Sequence, residues 1–200
     1  MDALTQKSEL TRTAIVGAAL DLASAQGLDA ITLQAVADRI GLSKSGVFSR
    51  VGSREALQKA VVEEFGRRFL ADVFAPAMQL PKGLPRLDAI VQRWIARTRD
   101  VDARKGCIFS AGAFEYDDRE GPLRDLLHSE VTRWRAAVRR TVLQAIEQKH
   151  LKRDTDPEQL VGEISSLVLG LVHDARFLRD PRAAERTSAS WQRLIATYKQ

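Results

Sequence analysis

Two hundred residues with 44% hydrophobic content can bury one sizeable core, or a small domain beside a larger one. The single cysteine, Cys107, excludes an internal disulfide and fits a reducing compartment, while 31 Lys and Arg against 26 Asp and Glu give a net charge of +5 that permits nucleic-acid binding without localising it. No apolar run approaches the roughly 18 residues of a membrane span, and the opening MDALTQKSEL has no signal-peptide apolar core, so a cytoplasmic protein without a membrane partner is expected.

Apolar residues recur at helical spacing and nothing alternates usefully with period two, which predicts an all-α fold of about nine helices. Residues 32–51 read TLQAVADRIGLSKSGVFSRV. A helix with Leu33, Val36, Ala37 and Ile40 on its apolar side runs to Gly41, and a second short helix begins at Ser43 and turns Val47 inward. Thr32 and Ser43 are the natural N-caps. Ala37 is small where the second helix crosses, Gly41 supplies the positive φ of the turn, and Leu42 is expected to plug the angle between the helices. This is the spacing of a DNA-binding helix-turn-helix, although a glycine turn between any two amphipathic helices shares part of it.

Surface charge separates the two readings. From Arg39 to Arg54 the charged residues are Arg39, Lys44, Arg50 and Arg54 with no acid among them, whereas Asp38 and Glu55 flank the stretch. Lys44, Ser45 and Gly46 form the first turn of the second helix, where short side chains and exposed backbone N–H groups approach bases and phosphates. The candidate DNA-contacting residues are Thr32, Ser43, Lys44, Ser45, Gly46, Phe48, Ser49, Arg50 and Arg54.

Farther on, Ser53 caps a fourth helix with the stripe Leu57, Val61, Phe65, Phe69 and Val73, and Pro76, Pro81 and Pro85 then break the chain. Leu87, Ile90, Val91, Trp94, Ile95 and Thr98 mark a fifth helix, and Cys107 to Glu115 a short sixth. The acidic stretch from Glu115 to Glu120, closed by Gly121-Pro122, reads as a loop before a long seventh helix from Leu123 to Ile146 on the stripe Leu127, Val131, Trp134, Val138 and Val142. The eighth helix, opened by Asp156-Pro157, is apolar on more than one side, with Leu160, Val161, Ile164, Leu167, Val168, Leu171, Val172 and Ala175. Such a helix must be buried twice, either in the middle of one protomer or against a second subunit, where Ser165, Ser166 and Gly170 allow close approach. Trp191, Leu194, Ile195 and Tyr198 belong to a ninth.

From TRTAIVGAALDLASAQGLDAITL through AVADRIGLSKSGVFSRVGSREAL the chain resembles the TetR-type transcriptional regulators, with weaker echoes at Gly106-Cys107 and Asp156-Pro157-Glu158. Where that family usually reads Tyr-x-His-Phe-x-Ser-Lys-Glu-x-Leu, this chain has Phe48 for the Tyr, Arg50 for the His, Val51 for the Phe and Arg54 for the Lys. In relatives the Tyr hydroxyl commonly reaches a phosphate; Phe cannot donate that bond, which leaves Ser49 or Arg50 to replace it.

The resemblance implies a helix-turn-helix DNA-binding domain over residues 8–53 and a ligand-sensing and dimerisation domain over residues 54–200. It implies a homodimer on double-stranded operator DNA, joined through the last two helices, for which Ile164, Val168, Leu171, Trp191 and Ile195 are the candidate interface residues. An apolar pocket for a small-molecule effector is implied too, with Phe65, Phe69, Trp94, Phe109, Phe114, Trp134 and His173 as candidate lining and Arg97, His128 or His173 as its polar contact. The expected function is a repressor released by a small apolar molecule. A DNA-binding adaptor that recruits a protein and has no inducer is the alternative.

The remaining chemistry is sparse. Cys107 follows Arg104, Lys105 and Gly106 at a helix start, a setting for a reactive thiol or simply for a small packed residue. His128, His150 and His173 lack paired ligand spacing, and no nucleophile elbow, phosphate loop or dinucleotide motif occurs. Neither metal, cofactor nor enzymatic activity is expected.

Overall fold

The computed structural model describes residues 3–100 and 106–200, so Arg104 and Lys105 lie outside the described residues. Among the described residues nine helices reach eight residues or more: α1 Ala3–Gln26, α2 Leu33–Ile40, α3 Lys44–Val51, α4 Arg54–Phe69, α5 Leu84–Asp100, α6 Ile108–Glu115, α7 Pro122–Glu147, α8 Pro157–Val172 and α9 Ala183–Tyr198. The all-α class is as expected; the sole extended pairing among the described residues is an isolated bridge between Leu151 and Lys199.

Local chemistry sets most boundaries. Thr32, Ser43, Ser53 and Asp156 cap α2, α3, α4 and α8 by accepting from the backbone N–H groups of Ala35, Gly46, Ala56 and Glu158, at 2.8–3.0 Å. Pro76 has no N–H for an α-helical bond to Asp72, and the chain answers by widening into a π-turn over Leu70–Phe74, in which the Ala75 N–H bonds Leu70 O. One further turn, Ala75–Ala77, follows before the chain breaks.

The chain divides into two compact units, Met1–Arg67 with Cys107–Ser129, and Arg68–Gly106 with Glu130–Gln200. In the first unit, Ile15, Ala19 and Ala23 of α1 are buried with Val36 and Ala37 of α2, Val47 of α3, and Leu57 and Val61 of α4. α6 packs on the 3-10 turn Leu28–Ala30. Gly112 makes that approach possible, because a Cβ there would lie 3.0–3.2 Å from Leu127 and Leu28 side-chain carbons. In the second unit, α5, α8 and α9 pack on one another. Trp191 is fully buried there and donates its indole N–H to Asp88 at 2.7 Å.

Candidate nucleic-acid interface

The α2–α3 corner has the geometry that its residues predict. Gly41 takes φ 68°, Ala37 and Val47 are completely buried, and the two caps fix where each helix starts. Leu42 differs from expectation. It keeps 36% of its surface exposed, so the corner is closed mainly by Ala37 and Val47.

The outer side of α3 carries Lys44, Ser45, Phe48 and Ser49, all exposed, with Gly46 half-buried. Several of its polar groups are already occupied. Ser45 Oγ lies 3.1 Å from Ser43 Oγ, Ser49 Oγ donates to Gly46 O at 3.0 Å, and Arg50 donates to the same carbonyl at 2.9 Å and to Ser49 Oγ at 3.3 Å. Arg50 is thereby folded back along its own helix. Lys44 and Arg39 have no ion-pair or hydrogen-bond partner among the described residues, and α3 itself contains no acid.

Arg54 is placed elsewhere than its charge suggests. Its guanidinium donates to Ile31 O and Asp29 O, each at 2.7 Å, and pairs with the Asp29 carboxylate at 3.2 Å, so it fastens α4 to the turn before α2. Sequence reasoning missed the group around it. Asp29 also accepts from Tyr116 Oη at 3.0 Å and from Arg119 at 2.6 Å, and Arg119 lies over the Tyr116 ring at 4.6 Å. The hydrogen bond from Arg119, above all, holds the Asp29 carboxyl below its ordinary value. Burial, followed by the bond it donates to Asp29, pushes the Tyr116 hydroxyl up to about 12.

The candidate pocket residues fall into different surroundings. In the first unit Phe65 and Phe109 meet edge to face at 4.9 Å, whereas Phe114 is 69% exposed and lines nothing there. In the second, Trp94 stands edge to face with Phe69 at 5.2 Å and with Trp134 at 4.4 Å, and the Trp134 indole N–H is buried without an acceptor among the described residues. Arg97 pairs with Asp72, while His128 and His173 are exposed, His173 beside Asp174 at 3.0 Å. Each candidate polar contact therefore has another partner or faces outward. His150 has a structural role, its Nδ1 accepting from the Leu84 N–H at 3.1 Å. Cys107 is a half-buried free thiol at the start of α6. Among the described residues no group of three or more His, Cys, Asp or Glu is placed to hold a metal, and no helix is long and apolar enough to cross a membrane.

Ile164, Val168, Leu171, Trp191 and Ile195, the candidate interface residues, are at most 2% exposed in the protomer itself. They fill its core, Leu171 also reaching the lining of a groove beside it, and the side of α8 that carries Gly162, Ser166 and Gly170 is the open one. There Gly162, Ser166 and Gly170 line an open groove of about 770 Å³ together with Thr187, Ser190 and Leu194 of α9.

A helical protein whose N-terminal corner presents an exposed, acid-free helix is of the helix-turn-helix regulator class. The chain belongs to the TetR family of bacterial transcriptional regulators, which are DNA-binding and non-enzymatic: the model for bacterial regulatory proteins of the tetR family matches residues 15–61, and that for the tetracyclin repressor-like C-terminal domain matches residues 83–191. A TetR regulator from Chloroflexus aurantiacus has 21% identity and a TM-score of 0.84, over 97% of this chain and 98% of that one. One from Cytophaga hutchinsonii has 19% identity and a TM-score of 0.82, over 96% of both chains. AibR, solved in complex with isovaleryl coenzyme A and operator DNA, has 17% identity and a TM-score of 0.70, over 90% of this chain and 95% of that one. No curated protein matches the chain.

Proposed function

We propose that this regulator is a cytoplasmic homodimeric repressor, which occupies a pseudo-palindromic operator with one α3 in each major groove and leaves it when a small apolar molecule binds. Residues 8–53 would read DNA and residues 54–200 would sense and dimerise. The observation that carries the reading is the outer side of α3, where Lys44 is exposed and unpaired among the described residues and the helix itself carries no carboxylate to repel phosphate.

Dimerisation is supported by the open side of α8. Gly162 and Gly170 each cost the helix roughly 1 kcal/mol relative to Ala, and nothing in the protomer lies within 4 Å of a Cβ at either position. Close approach of a second copy would give both glycines a purpose. Ligand release is supported by the buried, unsatisfied indole N–H of Trp134, which an acceptor on an apolar effector would satisfy. AibR, in complex with both an acyl coenzyme A and operator DNA, is a relative in which both partners are seen.

Selection of bound fragments from genomic DNA, followed by footprinting, tests the reading. Two protected half-sites related by a dyad, with centres about 34 Å or a multiple apart, are expected. A single asymmetric half-site contradicts the dimer.

A further inference from the structure

The aromatic ring of Phe48 stands out on the DNA-facing side of α3. It is 57% exposed and makes no ring contact among the described residues. Around it, the neighbouring polar side chains each hold a local hydrogen bond: Ser45 with Ser43, Ser49 with Gly46 O, and Arg50 with both Gly46 O and Ser49. Lys44, one turn earlier, brings an unpaired cation suited to a phosphate. At the middle of the helix the large exposed side chain is this apolar ring.

The major groove offers one prominent apolar group, the C5 methyl of thymine, and aromatic or methyl-bearing side chains recognise it by contact. We propose that Phe48 determines sequence specificity by packing against a thymine C5 methyl in each half-site. The proposal rests on the reading of α3 as the groove-entering helix. It makes Phe48 more than a tyrosine without its hydroxyl: the ring selects a base.

Deoxyuridine provides the test, since it pairs as thymine does and lacks only the methyl. The full-length protein is used to select from random-sequence duplex pools, and each thymine of the enriched site is then replaced singly by deoxyuridine. One thymine per half-site is expected to carry a penalty of about fourfold, and replacing both roughly 15-fold, as follows from burying one methyl-sized group per subunit. F48A should lose affinity for the thymine site by a similar factor and become indifferent to the replacement, while F48L keeps part of the discrimination. An enriched site at which no deoxyuridine weakens wild-type binding overturns the proposal, as does an F48A variant with the wild-type deoxyuridine penalty. The wild-type arm needs no variant, so a folding defect in F48A does not decide the matter. If the selection yields no enriched site, the groove-reading role of α3 fails, and this proposal with it.

Discussion

Glu115 of α6 accepts the backbone N–H of Asp29, 86 residues earlier in the chain, at 2.7 Å, and its second oxygen accepts that of Leu28 at 2.9 Å. These are N–H groups at the start of the turn Leu28–Ala30, which no residue of the turn can satisfy. The two neighbouring carboxylates, Glu115 and Asp29, coexist because Arg119 and Arg54 stand against Asp29. Glu115→Ala should therefore destabilise the protein by about 1–3 kcal/mol, the usual net worth of hydrogen bonds to a charged group. Glu115→Gln, which retains one acceptor, should lose less. Urea denaturation measures both, and equal loss in the two variants would contradict a contribution from each oxygen separately.

Protonation should act through the same cluster. Because the folded-state pKa of Asp29 lies below its unfolded value of 3.8, its stabilising contribution is complete above that value and is lost as pH falls through the lower folded pKa. The acid limb of a stability–pH curve should be shallower in Arg119→Ala than in the wild type. At the other extreme, the chain's two tyrosines both ionise late: burial foremost, with bonds donated to Asp29 and Glu163, pushes Tyr116 and Tyr198 up to about 12. Since a raised folded pKa favours the neutral phenol, this contribution is whole below about 10 and disappears as pH rises through the folded value. An absorbance titration of the native protein should show no tyrosinate near pH 10. A transition there, with folding intact, would contradict the placement of both hydroxyls.

The proposed subunit contact has a direct test at Gly162 and Gly170. Replacing either with Glu should preserve helicity, since a Cβ at each meets nothing within the protomer, and should favour the isolated α-helix by a few tenths of a kcal/mol or more. Light scattering should nonetheless report monomers. Dimers persisting in both variants would move the contact away from this side of α8.

What could be read from the sequence was what depends on residues a few positions apart. The caps at Thr32, Ser43, Ser53 and Asp156 reach only two or three residues ahead, and Gly41 needs only its own φ. The helix-turn-helix and the helix order were legible for that reason. Arg54 was not: its position in an acid-free stretch says nothing of Asp29, 25 residues upstream, which claims its guanidinium. Glu115 likewise read as the edge of an acidic loop, because a carboxylate's backbone partners 86 and 87 residues away leave no periodic trace. For α8 the spacing revealed two apolar sides without saying which belonged to the protomer. Ile164, Val168 and Leu171 proved to be its core, and Gly162, Ser166 and Gly170 the open side.

The salt dependence of DNA binding by Lys44→Ala tests most directly whether the acid-free side of α3 is the surface that meets DNA. With one phosphate per subunit no longer neutralised, the slope of log affinity against log salt should become shallower by about two for a dimer. Arg54→Ala provides the contrast, since its guanidinium is committed to Ile31 and Asp29: it should lower stability and leave that slope nearly unchanged. A Lys44→Ala variant with the wild-type slope and affinity, measured on a fragment the wild type selects, would contradict the assignment of this side of α3 to DNA.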